Sequence, residues 1–213
     1  MRFEWVTLDD GRSGVGVARL DAGDATPPVG SLYLDLEPRV RPKDYLAVAC
    51  ALAFGRYVGE VFGPPAGMSE RASSAIQQFL SPRSIRPLHV RGGTDGSVFG
   101  ARSVRVDSGT GTPSDSVRTS ESSEDFTLNL LRMDLFTGSV LSRDALWVAT
   151  NSELVGGAAS AVAALHAETA VTMLLAADLG VGSVQVADHV GPAELKRLSL
   201  LLGSVGLGVV VTG

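Results

Sequence analysis

Seven polar residues in the last third of the chain stand where strands are expected to end, and they are its best candidates for chemistry. They are Thr150, Asn151, Ser152, Glu153, Asp188, His189 and Thr212. His189 titrates near neutrality, and a neighbouring carboxylate such as Asp188 can orient it for acid/base work. Glu153 supplies a second carboxylate, so Glu153, Asp188 and His189 are the candidate catalytic residues. Adjacent strand residues point to opposite faces, however, so Asp188 and His189 need not meet. Asn151 or Ser152 can cap the helix that follows, whose start is expected to include Gly156 and Gly157. Free backbone N–H groups there would suit a phosphate or carboxylate. An ordinary capped turn is the simpler reading of the same residues.

The elements that must position these groups read as strand, helix, strand, helix, strand. Leu146–Ala149 is a short apolar strand, and the region from Gly157 to Leu179 is a long Ala-rich helix stopped by Gly180. Val184 and Val186 mark the next strand, and Pro192 suits the first turn of the next helix. Leu195, Leu198, Leu201 and Leu202 give that helix a buried face. Val209, Val210 and Val211 read as a final strand buried on both faces. This order implies a parallel sheet, with the three polar strand ends adjacent along its carboxyl edge. A buried terminal strand needs a neighbour, so a partner subunit or further residues beyond Gly213 are expected.

The first half has a different rhythm. Residues 2–8 alternate as a strand, Asp9-Asp10-Gly11 is turn chemistry, and Gly14–Arg19 returns as a hairpin partner. Ser31–Leu36 reads as a third strand. Apolar residues from Lys43 to Phe62 then recur at helical spacing around most of the circumference. Pro64 and Pro65 follow. Ser69 is placed to cap a second helix running to Leu80. Strand-like pieces follow at 84–90 and 97–106. The fold class is therefore α/β or α+β: an N-terminal antiparallel hairpin or meander with two helices, then a parallel βαβαβ layer. Residues 1–106 and 126–213 form two regions that can be one continuous domain. The polar stretch 107–125 between them is a flexible loop or linker.

Composition narrows the function classes. The chain has 213 residues, 45% of them hydrophobic and 19% charged, with a net charge of −5. That is a globular composition, and the acidic balance disfavours a general nucleic-acid coat. Yet Arg71, Arg83, Arg86, Arg91, Arg102 and Arg105 face only Asp95 as an acid between positions 71 and 105. Arg83, Arg86, Arg91, Arg102 and Arg105 are thus candidate contacts for a partner or for nucleic acid; the scarcity of aromatic residues there argues against base stacking. Cys50 is the only cysteine, which rules out an internal disulfide and suits a cytoplasmic protein. It lies in an apolar helical stretch, as packing rather than as a nucleophile. His166, Glu168 and Asp178 interrupt the longest apolar run, so a membrane span is not expected.

Dedicated site motifs are missing. There is no P-loop, no GxSxG elbow, no HExxH and no repeated Cys/His spacing, so neither a cofactor nor a metal site is expected. The stretch Asp107 to Thr112 follows a strand and can cradle a phosphate, although its polar context continues as a linker would.

Asp144, followed by strand, long helix, strand, helix and strand, resembles the core of the PD-(D/E)xK restriction-endonuclease-like superfamily over about the last 70 residues. The resemblance implies a metal-binding role for Asp144. It also calls for an acid and a lysine on the next strand, and Leu146–Thr150 has neither, which implies an inactive copy. The leading expectation is a non-catalytic binding or assembly subunit of an intracellular complex, with a protein partner or a second copy of itself. The alternative is an enzyme acting at the carboxyl edge of the C-terminal sheet: a small-molecule or phosphate transferase, or a degenerate nuclease-like domain.

Overall fold

A computed structural model describes residues 1–93, 100–108, 125–157 and 160–212. Most of the expected linker, and the glycine-rich part of the stretch after Asp107, lie outside the described residues. The strands are β1 Arg2–Thr7, β2 Ser13–Ala18, β3 Ser31–Leu34, β4 Val61–Phe62, β5 Met68–Ser69, β6 Arg86–Pro87 and β7 Val90–Arg91. They continue with β8 Arg102–Asp107, β9 Asp125–Arg132, β10 Ser139–Leu141, β11 Ala145–Thr150, β12 Val181–Ala187 and β13 Gly208–Thr212. The helices are α1 Lys43–Phe54, α2 Glu70–Phe79, α3 Ser152–Gly156, α4 Ala161–Leu179 and α5 Pro192–Gly203.

The Asp9-Asp10-Gly11 turn folds β1 onto β2, with Phe3 opposite Val17 and Trp5 opposite Val15. β3 continues this antiparallel meander and meets β11 at Leu34 and Thr150. From there the sheet is parallel in the order β11, β9, β8, β12, β13, with β10 antiparallel beside β11. The architecture is mixed α/β: N-terminal antiparallel strands and a mostly parallel C-terminal sheet with helices.

One apolar row crosses the strands at matched register. Phe126, Val104 and Val184 sit side by side, and Leu128 and Leu130 continue the row toward Leu146 and Val148. All seven are buried, each contributing about 1.5–3 kcal/mol by leaving water. α1 and α4 pack on each other, and their alanines permit the close approach. Phe3 of β1 reaches this layer, 6.2 Å from Phe54 and 5.1 Å from Phe62 between ring centroids.

Local signals end the elements as their chemistry requires. Ser69 Oγ accepts from the Ala72 amide at 3.2 Å and caps α2. Gly180 stops α4 in the left-handed conformation at φ 63°. Pro192 opens α5.

Four expectations are corrected. The first helix does not run to Phe62: it tightens to a 3-10 turn over Gly55–Tyr57, and Val61–Phe62 pair with Arg86–Pro87 instead. Leu80 packs against Gly55, where a Cβ would stand 2.5 Å from Leu80 Cδ2. The long C-terminal helix begins at Ala161, because Ser160 Oγ accepts from Ala163 N, while Gly156 and Gly157 end the short α3. β11 and β12 are not neighbours, since β9 and β8 lie between them. β13 is not buried on both faces: it is the sheet edge, with Val210 and Val211 44% and 51% exposed.

Candidate functional site

The ends of α1 and α2 meet where the structure opens a cleft of about 390 Å³, and Arg56 links that cleft to the end of α3. Helix C-termini leave carbonyls outside the helical ladder that other donors can take up. Arginines close all three. Arg56 Nη2 donates to the carbonyls of Val155 and Gly156 at 2.7 and 3.1 Å, at the end of α3. Arg83 Nη1 donates to the carbonyls of Gly55 and Arg56, at the end of α1. Arg197 Nη2 donates to the carbonyl of Phe79, the last residue of α2. Cations at helix C-termini also oppose the negative end of the helix dipole.

All three arginines line the cleft, together with His166, Ser81 and an apolar wall that includes Leu52, Phe79, Leu80 and Pro82. A guanidinium has five N–H donors, and the carbonyl bonds engage only one nitrogen of each of these three. Arg197 spends a second nitrogen on Glu194, with Nη1 3.1 Å from Oε2. Arg56 stacks over Tyr57 at 4.8 Å and Arg197 over Phe79 at 5.0 Å, which fixes the planes of both cations.

His166 projects from α4, its ring 5.2 Å from that of Phe79. Its Nε2 lies 2.7 Å from Glu194 Oε1. Burial pushes the imidazole pKa below its ordinary value, against the upward pull of Glu194. The neutral ring therefore donates Nε2–H to the carboxylate and keeps Nδ1 as an acceptor. Glu194, hydrogen-bonded to both His166 and Arg197, sets the orientation of each.

The residues expected from sequence to form a site lie elsewhere and do not converge. Three strand spacings, about 14 Å, separate the ends of β11 and β12, so Glu153 does not face Asp188 or His189 across adjacent strands. Glu153 instead pairs with Arg132 at 3.1 Å. Asp188 and His189 are exposed at the β12 end. Asn151 is committed to β3: Oδ1 accepts from Tyr33 N at 2.8 Å and Nδ2 donates to the Ser31 carbonyl at 2.9 Å. Ser152 is buried, with its amide directed to Thr150 Oγ1. Gly156 presents its carbonyl to Arg56, and the Gly157 amide donates to the Glu153 carbonyl.

No family model, curated protein or solved structure matches this chain. What the cleft can hold follows from its own chemistry.

Arg83 alone of the five expected contact arginines lines the cleft. Arg86 and Arg91 stand on β6 and β7, in two separate small sheets. Arg102 lies over Phe126 at 5.1 Å, and Arg105, three residues on, points from the other face of β8. These cations therefore do not form one patch. Asp144 accepts from Ser142 Oγ at 3.1 Å, and no group of three or more metal-binding side chains occurs among the described residues. Cys50 is fully buried, and burial raises its thiol pKa far above the ordinary range, which leaves it unreactive.

Arg56, His166, Glu194 and Arg197 are the residues that sequence reasoning missed as a site. Each lies in a helical region that reads as packing, and only Glu194 and Arg197, three apart on α5, form a local pair.

Proposed function

We propose that this chain is a non-catalytic binding subunit, and that its binding site is the cleft among Arg56, Arg83, His166 and Arg197, which takes an anionic group. The observation that carries this is the concentration of charge. Three guanidinium groups line one cleft with a single carboxylate among their partners, in a protein of net charge −5. Their carbonyl bonds hold them in place before any ligand arrives, which lowers the ordering cost of binding. The apolar wall and the volume suit a small molecule rather than a polymer.

Calorimetric titration with phosphate, sulfate and small carboxylates tests the proposal. Saturable binding at millimolar concentration or tighter, weakened in R83Q and R197Q, supports it. A wild-type protein indifferent to all of these anions would reduce the arginines to helix caps.

An assembly role rests on a different feature, the edge strand β13 with its exposed valines. An enzyme at the carboxyl edge of the C-terminal sheet has less behind it, because Glu153, Asp188 and His189 stand apart. Among the described residues one helix, α4, is long and apolar enough to cross a membrane, and 56% of its apolar stretch is buried inside the fold. A core helix of a water-exposed domain fits that burial.

A further inference from the structure

The charges in the cleft are not equally satisfied. Arg197 has Glu194 beside it at 3.1 Å. Arg56 and Arg83 have only carbonyls and a tyrosine ring as partners among the described residues. A carbonyl carries partial charge, so two formal positive charges remain uncompensated. Arg83 donates to the backbone of Arg56 itself, which ties the two residues to the same corner of the cleft. Both side chains are solvent-exposed, so water screens them from each other and leaves their outer edges accessible to a ligand. A ligand bearing two negative charges can pair with both cations, where one bearing a single charge leaves one of them unmatched.

The planar fork of a guanidinium matches the oxygens of a phosphate, with two parallel N–H bonds available from each unused edge. Leu52, Phe79, Leu80 and Pro82 give the cleft one apolar wall. A bare phosphate would fill only the cationic end of about 390 Å³.

Resting on the anion-binding proposal above, we infer that the ligand is a small organic dianion of the phosphate monoester type, its phosphate held by Arg56 and Arg83 and its compact apolar body against Phe79 and Leu80. His166 and Glu194 add no net attraction: the ring is neutral, and the carboxylate is taken up by Arg197.

Three probes separate the parts of this inference: phenyl phosphate, benzoate and inorganic phosphate, each titrated calorimetrically into the full chain at pH 8. Phenyl phosphate binding about tenfold or more tighter than both others is the expected result. Equal affinity for benzoate overturns the dianion requirement and leaves anion binding standing. Equal affinity for inorganic phosphate overturns the apolar body. No heat with any probe overturns both the inference and the proposal beneath it. In R83Q the preference for phenyl phosphate over benzoate should collapse toward one. Because Arg83 also caps a helix end, R83K is the control: it keeps the charge and a donor, and should retain the preference at reduced affinity. An R83K protein that is folded but has lost the preference overturns the assignment of Arg83.

Discussion

His166 Nε2 and Glu194 Oε1 lie 2.7 Å apart and tie α4 to α5 beside the cleft. The contact is largely shielded from water, which strengthens it and penalises the charged imidazole at the same time.

Substituting Glu194 by Gln should lower the His166 pKa further, since the carboxylate is what raises it against burial. The folded ring already titrates below the unfolded one. Its contribution to stability is therefore present above the ordinary value of 6.5 and is lost as pH falls through the folded pKa. E194Q should be more sensitive to acid than the wild type, and should lose about 1–3 kcal/mol near neutrality. NMR titration of the ring checks the direction. An unchanged or raised pKa would show that Glu194 does not act on His166.

Ser69 joins two elements through one side chain. Asp44 Oδ1 accepts from the Ser69 amide at 2.7 Å and Oδ2 from its hydroxyl at 2.6 Å, while the hydroxyl caps α2. S69A removes the cap and leaves one oxygen of a buried carboxylate without its donor. A loss of about 2–3 kcal/mol is expected, read from urea denaturation. A loss below about 0.5 kcal/mol would mean that water replaces the hydroxyl at no cost.

These outcomes connect to what the chain discloses in order. The Ser69 cap, the Gly180 stop and the Pro192 start were legible because each is a contract between residues a few positions apart. The antiparallel start and the strand–helix alternation were legible from periodicity. Strand order was not, because insertion of β9 and β8 between β11 and β12 is decided by long-range pairing that leaves no local mark. Val209 to Val211 suit a strand at an edge as well as at a centre, since β-branching reports pleat and not position. The cleft was hidden for a similar reason: Arg56, Arg83, His166 and Arg197 come from four distant segments, and each looks like an ordinary helix or loop residue alone.

Among the described residues, Asp24 makes the most deeply buried carboxylate-to-cation contact. Its Oδ2 lies 2.8 Å from the Met1 ammonium with both side chains inaccessible, and the Gly59 and Leu20 amides donate to it at 2.8 Å. Burial would raise its pKa, but these donors outweigh it and hold the group at about 2. Its contribution is complete above the unfolded value of 3.8 and disappears as pH falls through about 2. D24N should lose about 2–4 kcal/mol at neutral pH, with a flatter acid limb between pH 4 and 2 (about two units of titration removed). Parallel acid limbs in the two proteins would count against the ion pair.

Gly182 allows two backbones to touch. A Cβ there would stand 2.2 Å from the Gly100 carbonyl oxygen, beside the register shift between Val181 and Ser183. Backbone cannot yield as a side-chain tip can, so G182A should cost about 2–4 kcal/mol and loosen the pairing of β12 with β8. Amide exchange along residues 102–105 measures the second effect. Protection equal to the wild type would show that the two segments shift together.

Among the described residues β13 has a strand on one side only, and that outer edge predicts self-association. Its sequence, Gly208 to Thr212, has no charge or proline to blunt an edge, and Val210 and Val211 are about half exposed. A second copy pairing antiparallel across a two-fold axis would extend the sheet and satisfy the outer backbone groups of β13. Light scattering at several concentrations should then give a dimer mass that falls on dilution. V210K places a charge on the strand and sets it near its own copy in that arrangement, so it should return the protein to monomer with little change in melting temperature. A wild-type protein that remains monomeric at every concentration leaves β13 as an open edge with no role in assembly.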